Sequence, residues 1–321
     1  MAATGISIIS PSTLTDVAAT SRSSKSSNGI PTSISLQAEN KVHAEEESLK
    51  GKSNWFRQLI KDEAPWGETL LTGLAELVGT AILVFIGCMG CVGSLADPPS
   101  QLQISLTFGF AVTCVIQLIG HISIAHINPA VTICSMILGL KSLPTGVIYM
   151  VGQVLGAVIG YGMLKVVTPS DLLHAGGDGS SSTSFCMTMV STKLTLVQGL
   201  LTETVATGIL IFLCCASWDP RNEKNSDSTA LKFGLTVAAL AMAATPYTGC
   251  SMNPARSFGP ALWNNEWTGH WVYWLGPIVG SVIVSLAYKI LWWPRKSLEE
   301  EIIAEAVALN AVESEKPEVR P

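Results

Sequence analysis

Six apolar stretches set what this chain can become: roughly Leu70–Leu95, Ile104–Ile122, Pro144–Val167, Leu194–Ser217, Ala230–Ala244 with flanking residues, and Trp271–Trp293. Most exceed the ~18 residues that mark a crossing of the hydrocarbon core. The fifth is the shortest, because Thr245-Pro246 is expected to end it early. Such segments can cross only as helices or a closed barrel, since lipid offers the backbone no partners. Charged residues are 13% of the chain and the mean hydropathy is +0.41. Length alone would suggest two soluble domains; composition overrides it.

Two further apolar elements are too short to cross. Asn128-Pro129-Ala130 and Asn253-Pro254-Ala255 each read as a helix start. Asn is a favoured N-cap, and Pro suits the first helical position, where no N–H is needed. The stretch after each runs about 10 residues, roughly 15 Å, before Gly139 or Asn264 interrupts it. That is half of a ~30 Å core. Two such stubs meeting N-terminus to N-terminus would cross once, with both ends at the midplane. The expected fold is an all-α membrane protein of six transmembrane helices and two half-helices.

The halves repeat. Ala75-Glu76-Leu77-Val78-Gly79-Thr80 resembles Thr202-Glu203-Thr204-Val205-Ala206-Thr207, and each Glu precedes its own triplet by nearly the same distance. Three spans separate the copies, about 69–140 and 194–263, so the second is inserted upside down. Inverted repeats place a pathway at their interface, lined by broken helices. Gly152, Gly156 and Gly160 share one helix face, as do Gly276 and Gly280, which lets backbones approach closely.

Residues 1–66, rich in Ser, Lys, Asn and Glu, read as a disordered cytoplasmic tail, with a Ser21–Ser27 cluster that could accept phosphate. No apolar run precedes Glu45, so no cleavable signal is expected. The membrane part is expected at 67–294, and 295–321 reads as a second cytoplasmic tail, with an amphipathic stretch at 297–315. Lys50, Lys52, Arg57, Lys61, Lys141, Arg221, Lys224, Lys232, Lys289, Arg295 and Lys296 fall on one side of this topology. The positive-inside rule makes that side cytoplasmic. There is no basic stripe for nucleic acid. Cysteines 88, 91, 114, 134, 214, 215 and 250 fall in apolar stretches and only Cys186 in a hydrophilic loop, so no disulfide is expected. Cys88 and Cys91 have CxxC spacing but no second pair, so buried packing is favoured over metal.

The single residues carry chemistry. Asn128 and Asn253, with their side-chain oxygens occupied as caps, present NH₂ donors to the space between the stubs. Each stub N-terminus carries about half a positive charge, which disfavours cations and orients a passing oxygen. Arg256 lies in a membrane-embedded element, where a charge costs at least ~2.5 kcal/mol unless it meets water or carbonyls, so it is expected to face a pore. Glu76 and Glu203 are expected to accept backbone N–H groups from the non-helical lead into each stub. A proton relay is the alternative for the two carboxyls, and a proton sensor for His121 or His126.

These residues resemble the aquaporin, or major intrinsic protein, family, over about Thr69 to Trp293. Besides the doubled triplet, Gly-His-Ile-Ser at 120–123, Tyr-Thr-Gly-Cys at 247–250 and Asn-Pro-Ala-Arg-Ser at 253–257 carry the likeness. The resemblance implies a homotetramer with a pore in each subunit. It implies a ladder of pore carbonyls from Ala125, His126, Gly249 and Cys250, although Ile124 stands where the family often has Gly. It implies a selectivity filter of Phe108, Ala241, Cys250 and Arg256. Water-selective members carry His where this chain has Ala241. Methyl in place of imidazole would open the filter and make one side apolar, unless Met242 refills the space. Ser257, Ala261 and Tyr273-Trp274 look like water-type members. A water-type scaffold with an opened filter resembles the insect glycerol-conducting branch, the entomoglyceroporins.

The resemblance therefore implies a passive plasma-membrane channel for glycerol and other small uncharged solutes such as urea, with water, excluding protons and ions. A strictly water-selective channel is the alternative. Other classes are an ion-coupled secondary transporter using Glu76 or Glu203, and an adhesion or signalling protein with a closed pore. No cofactor, metal or covalent chemistry is needed, and no Ser/His/Asp set or carboxylate pair points to an enzyme. Cys250 is the expected mercury target.

Overall fold

The structure is a computed structural model that describes residues 65–92, 99–169, 172–173 and 185–294. The N-terminal tail with its Ser cluster, the basic residues at 50–61 and 295–296, and the stretch 297–315 lie outside the described residues. The helices are α1 (Trp66–Met89), α2 (Gln101–Ser123), α3 (Pro129–Leu138), α4 (Leu143–Val167), α5 (Leu196–Trp218), α6 (Thr229–Thr248), α7 (Pro254–Asn264) and α8 (Val272–Leu291). Six are long and apolar enough to cross a membrane. The stubs α3 and α7 have 10 and 11 residues.

Local chemistry sets the boundaries. Ser100, Ser142 and Thr195 are N-caps whose hydroxyls accept from the N–H groups of Gln103, Thr145 and Gln198. Gln198 returns the bond to Thr195, completing a capping box. Left-handed Gly139 (φ 84°) ends α3, and left-handed Asn265 (φ 50°) ends α7, one residue later than the sequence suggests.

The fifth span departs from expectation. Rather than stopping at Thr245-Pro246, α6 continues through Pro246 to Thr248. Proline has no N–H for the carbonyl four residues earlier, which is Met242. That carbonyl is satisfied from another helix, by Gln101 Nε2 at 2.6 Å. Gln101→Ala should therefore lower stability by about 1 kcal/mol, read as a fall in the melting temperature of detergent-solubilised protein.

The packing follows the repeat: α1 lies against α4, α5 against α8, and α2 against α6 across the two halves. Glycines permit each approach. A Cβ on Gly152 would stand 2.5 Å from the Gly73 carbonyl oxygen, one on Gly276 2.7 Å from Glu203 Cβ, and one on Gly234 2.7 Å from the Gly109 oxygen. On the side opposite the C-terminus of α1, a short 3-10 turn (Pro220–Asn225) follows α5. Asp219 accepts there from Arg221 Nε at 2.8 Å and from Tyr288 Oη at 3.0 Å. The Arg221 guanidinium holds the Asp219 carboxyl well below the usual carboxylate range.

One expectation is corrected. Cys88 and Cys186 form a disulfide. The apolar run continues to Leu95 in the sequence, but α1 ends at Met89, so Cys88 sits in its last turn, where it meets the segment before α5 that carries Cys186. Cys91 is a half-buried free thiol in the turn after α1, packed against the cluster that holds Cys88 and Cys186.

Candidate functional site

The two stubs meet through their triplets. Asn128 Oδ1 accepts from Ala130 N at 2.9 Å, and Asn253 Oδ1 accepts from Ala255 N at 3.0 Å and Arg256 N at 3.3 Å. The opposite ends of the same amides cross the gap. Asn128 Nδ2 donates to the Met252 carbonyl and Asn253 Nδ2 to the Ile127 carbonyl, both at 2.8 Å. The sequence reading leaves each NH₂ wholly to the space between the stubs. The structure uses one hydrogen of each to pin the opposite lead, and one remains.

The leads themselves are strained and symmetric. Ile124, Ala125 and Ile127 have φ of 69°, 52° and 45°; Gly249, Cys250 and Met252, at the same spacing before the second Asn, have 76°, 47° and 52°. A left-handed conformation costs a non-glycine residue roughly 1–2 kcal/mol, and it persists only where surroundings over-determine it. Buried carboxylates supply that determination. Glu76 accepts from His126 N, Ile127 N, Ser123 Oγ and Gln153 Nε2 at 2.6–2.9 Å. Glu203 accepts from Ser251 N, Met252 N and Thr248 Oγ1 at 2.6–2.9 Å. Tyr149 and Tyr273 hydroxyls hold the Ser123 and Thr248 carbonyls.

With their N–H groups drawn to the glutamates, the leads keep carbonyls free. Among the described residues, no donor reaches the carbonyls of Ala125, His126, Gly249 or Cys250. All four residues line one cavity of about 350 Å³. At membrane depth, unpaired carbonyls are tolerated where they meet a water-filled space.

That cavity follows α2 and α6. α2 lines it with Ile104, Phe108, Val112 and Ile116, and α6 with Thr229, Phe233, Val237, Ala241 and Thr245. Residues four apart form one face, and on α6 they reach from the first turn to the last. Asn128, Asn253 and Arg256 line the same cavity, as do Phe185, Cys186 and Trp218.

The filter residues of the sequence reading come together. The Arg256 guanidinium carbon stands 4.7 Å from the Phe108 ring centroid. Arg256 Nη1 donates to the Cys186 carbonyl at 2.8 Å. Ala241 lines the cavity, and the Cys250 thiol donates to the Leu240 carbonyl at 3.3 Å. Met242, the residue that could have refilled the space, is 38% exposed on the outer face. Of the two histidines, His126 lines the cavity with its ring 5.4 Å from that of Trp218. His121, in the last turn of α2, is exposed. Sequence reasoning missed Cys91, Cys186, Trp218 and Phe233 as wall residues. For Phe233, its place two four-residue steps before Ala241 on the same helix face was the available signal.

The Major intrinsic protein family model matches residues 67–288. The chain belongs to this family. It is 39% identical over 236 residues to Aquaporin-4 of Mus musculus, covering 71% of this chain and 69% of that protein. It is 38% identical over 229 residues to Aquaporin-2 of Homo sapiens, covering 71% and 81%. The X-ray structure of the aquaglyceroporin from Plasmodium falciparum superposes with a TM-score of 0.58 at 23% identity, over 69% of this chain and 96% of that one. This last likeness supports the fold. The chain is thus a multi-pass membrane channel protein of the aquaporin fold.

Proposed function

We propose that this protein is a passive channel for water, glycerol and other small uncharged solutes, urea included, and that it excludes ions and protons. Ala241 carries the reading: a methyl group lines the same cavity as the Arg256–Phe108 pair. A carbon chain would pass along Phe108 and Ala241. Its hydroxyls would meet Arg256 and the free carbonyls of Ala125, His126, Gly249 and Cys250. Asn128 and Asn253 would each give their remaining hydrogen to an oxygen at the midplane. Two helix N-termini facing one lumen oppose cations. Glu76 and Glu203 serve structure in this reading, because their oxygens are already occupied by the leads.

We place the protein with the insect glycerol-conducting branch, as a plasma-membrane homotetramer with both termini cytoplasmic. Lys141, Arg221, Lys224, Lys232 and Lys289 then face the cytoplasm. Proteoliposomes in a glycerol gradient should shrink and then reswell faster than empty vesicles; equal rates refute the reading. The second reading, strict water selectivity, draws on the water-type Ser257, whose hydroxyl is 2.6 Å from Thr188 Oγ1. It predicts fast shrinkage with no accelerated reswelling.

Two free thiols line the cavity, Cys91 and Cys250. Mercury should therefore block water flux. Cys250→Ser should retain part of the block, and Cys91→Ser with Cys250→Ser should abolish it. An undiminished block in the double variant would move the target elsewhere.

A further inference from the structure

The Cys88–Cys186 disulfide ends in the wall of the pore. Cys88 lies in the last turn of α1, and Cys186 lies outside every helix with a left-handed φ of 54°. Arg256 Nη1 donates to the Cys186 carbonyl at 2.8 Å, and Nη2 lies 3.5 Å from the Cys186 sulfur. Among the described residues, both acceptors of this guanidinium therefore belong to Cys186. The neighbouring Phe185 carbonyl accepts from Tyr161 Oη at 2.9 Å, which ties the same segment to α4.

Resting on the reading of this cavity as a solute path, we propose that Cys186 is a positioning residue for selectivity. Its covalent link to Cys88 holds the acceptors that keep Arg256 stacked on Phe108 and out of the lumen. The physical reason is the donor set of arginine. Five N–H groups on a permanent charge must find partners when buried. If the segment carrying Cys186 comes loose, free acceptors remain on the lumen carbonyls of Gly249 and Cys250. Turning to them brings the cation across the bore. Every solute then loses room, the widest most.

The test uses the full chain in proteoliposomes, with tris(2-carboxyethyl)phosphine on both sides of the membrane. The phosphine attacks one sulfur and the S–S bond breaks. Both sulfurs become thiols with protons from water, and the phosphine becomes its oxide with the oxygen of that water. Alkylation and peptide mass mapping should find Cys88 joined to Cys186 before treatment and both free afterwards. On reduction the glycerol rate should fall about 5-fold or more and the water rate about 2-fold, since a narrowed opening discriminates by size. Reoxidation should restore both. Cys88→Ser should show the low glycerol-to-water ratio without reductant and should not respond to it. Unchanged rates in a channel whose disulfide is shown to be open would overturn the proposal, as would failure to find the Cys88–Cys186 pair. An oxidised channel that passes water and no glycerol contradicts the glycerol reading alone. The strut is then judged on the water rate, and equal rates before and after reduction contradict it.

Discussion

With histidine in place of Ala241, glycerol flux should fall about 10-fold or more while water flux stays within about 2-fold. Ala241 is buried in α6 and lines the cavity that Phe108, Cys250 and Arg256 also line. An imidazole adds several heavy atoms and a hydrogen-bonding edge to that wall. Water is small enough to pass and can exchange hydrogen bonds with the ring. A three-carbon chain loses both the space and the apolar strip along which it would slide. Selectivity in such pores comes from diameter and from the donors and acceptors that line it. Met242 does not compensate, because its side chain is on the outer face. Stopped-flow light scattering with the two solutes in turn measures the effect. An equal loss for both would remove residue 241 from the filter.

The second large effect is on folding. Glu203→Ala should leave the N–H groups of Ser251 and Met252 and the Thr248 hydroxyl without their acceptor. Each buried unpaired group costs about 1–3 kcal/mol, so the second lead should lose more than about 3 kcal/mol in all. Glu203→Gln should not rescue it. One amide end carries hydrogens and would face an N–H donor on one side of the lead. The readout is the yield and melting temperature of solubilised protein. A proton relay at this carboxyl predicts otherwise: a stable Glu203→Gln protein whose uptake no longer responds to pH. A well-folded glutamine variant with that phenotype would overturn the structural role.

The stubs and their partners were legible in the sequence because local rules decide them. Asn followed by Pro specifies a capped helix start, and a run of 10 residues cannot cross a membrane. A glutamate inside an apolar span is costly enough to demand nearby donors. Non-local features were harder to read. Pro246 stays inside α6 because Gln101, 141 residues from Met242 in sequence, supplies the missing donor. The disulfide escaped notice because hydropathy does not mark where a helix ends, and a few residues decided whether Cys88 could meet Cys186. The cross-pairing of the Asn amides was equally hidden. A capping rule assigns their oxygens but cannot say what the nitrogens will find once the leads are brought together.

The facing N-termini of α3 and α7 should admit neutral solutes and repel cations. Vesicles holding the full-length protein and an entrapped pH dye test it directly. A potassium diffusion potential drives protons inward while osmotic shrinkage is measured on the same preparation. Water flux should be well above that of empty vesicles, with a proton rate equal to theirs. A proton rate that rises with the amount of protein reconstituted would contradict it.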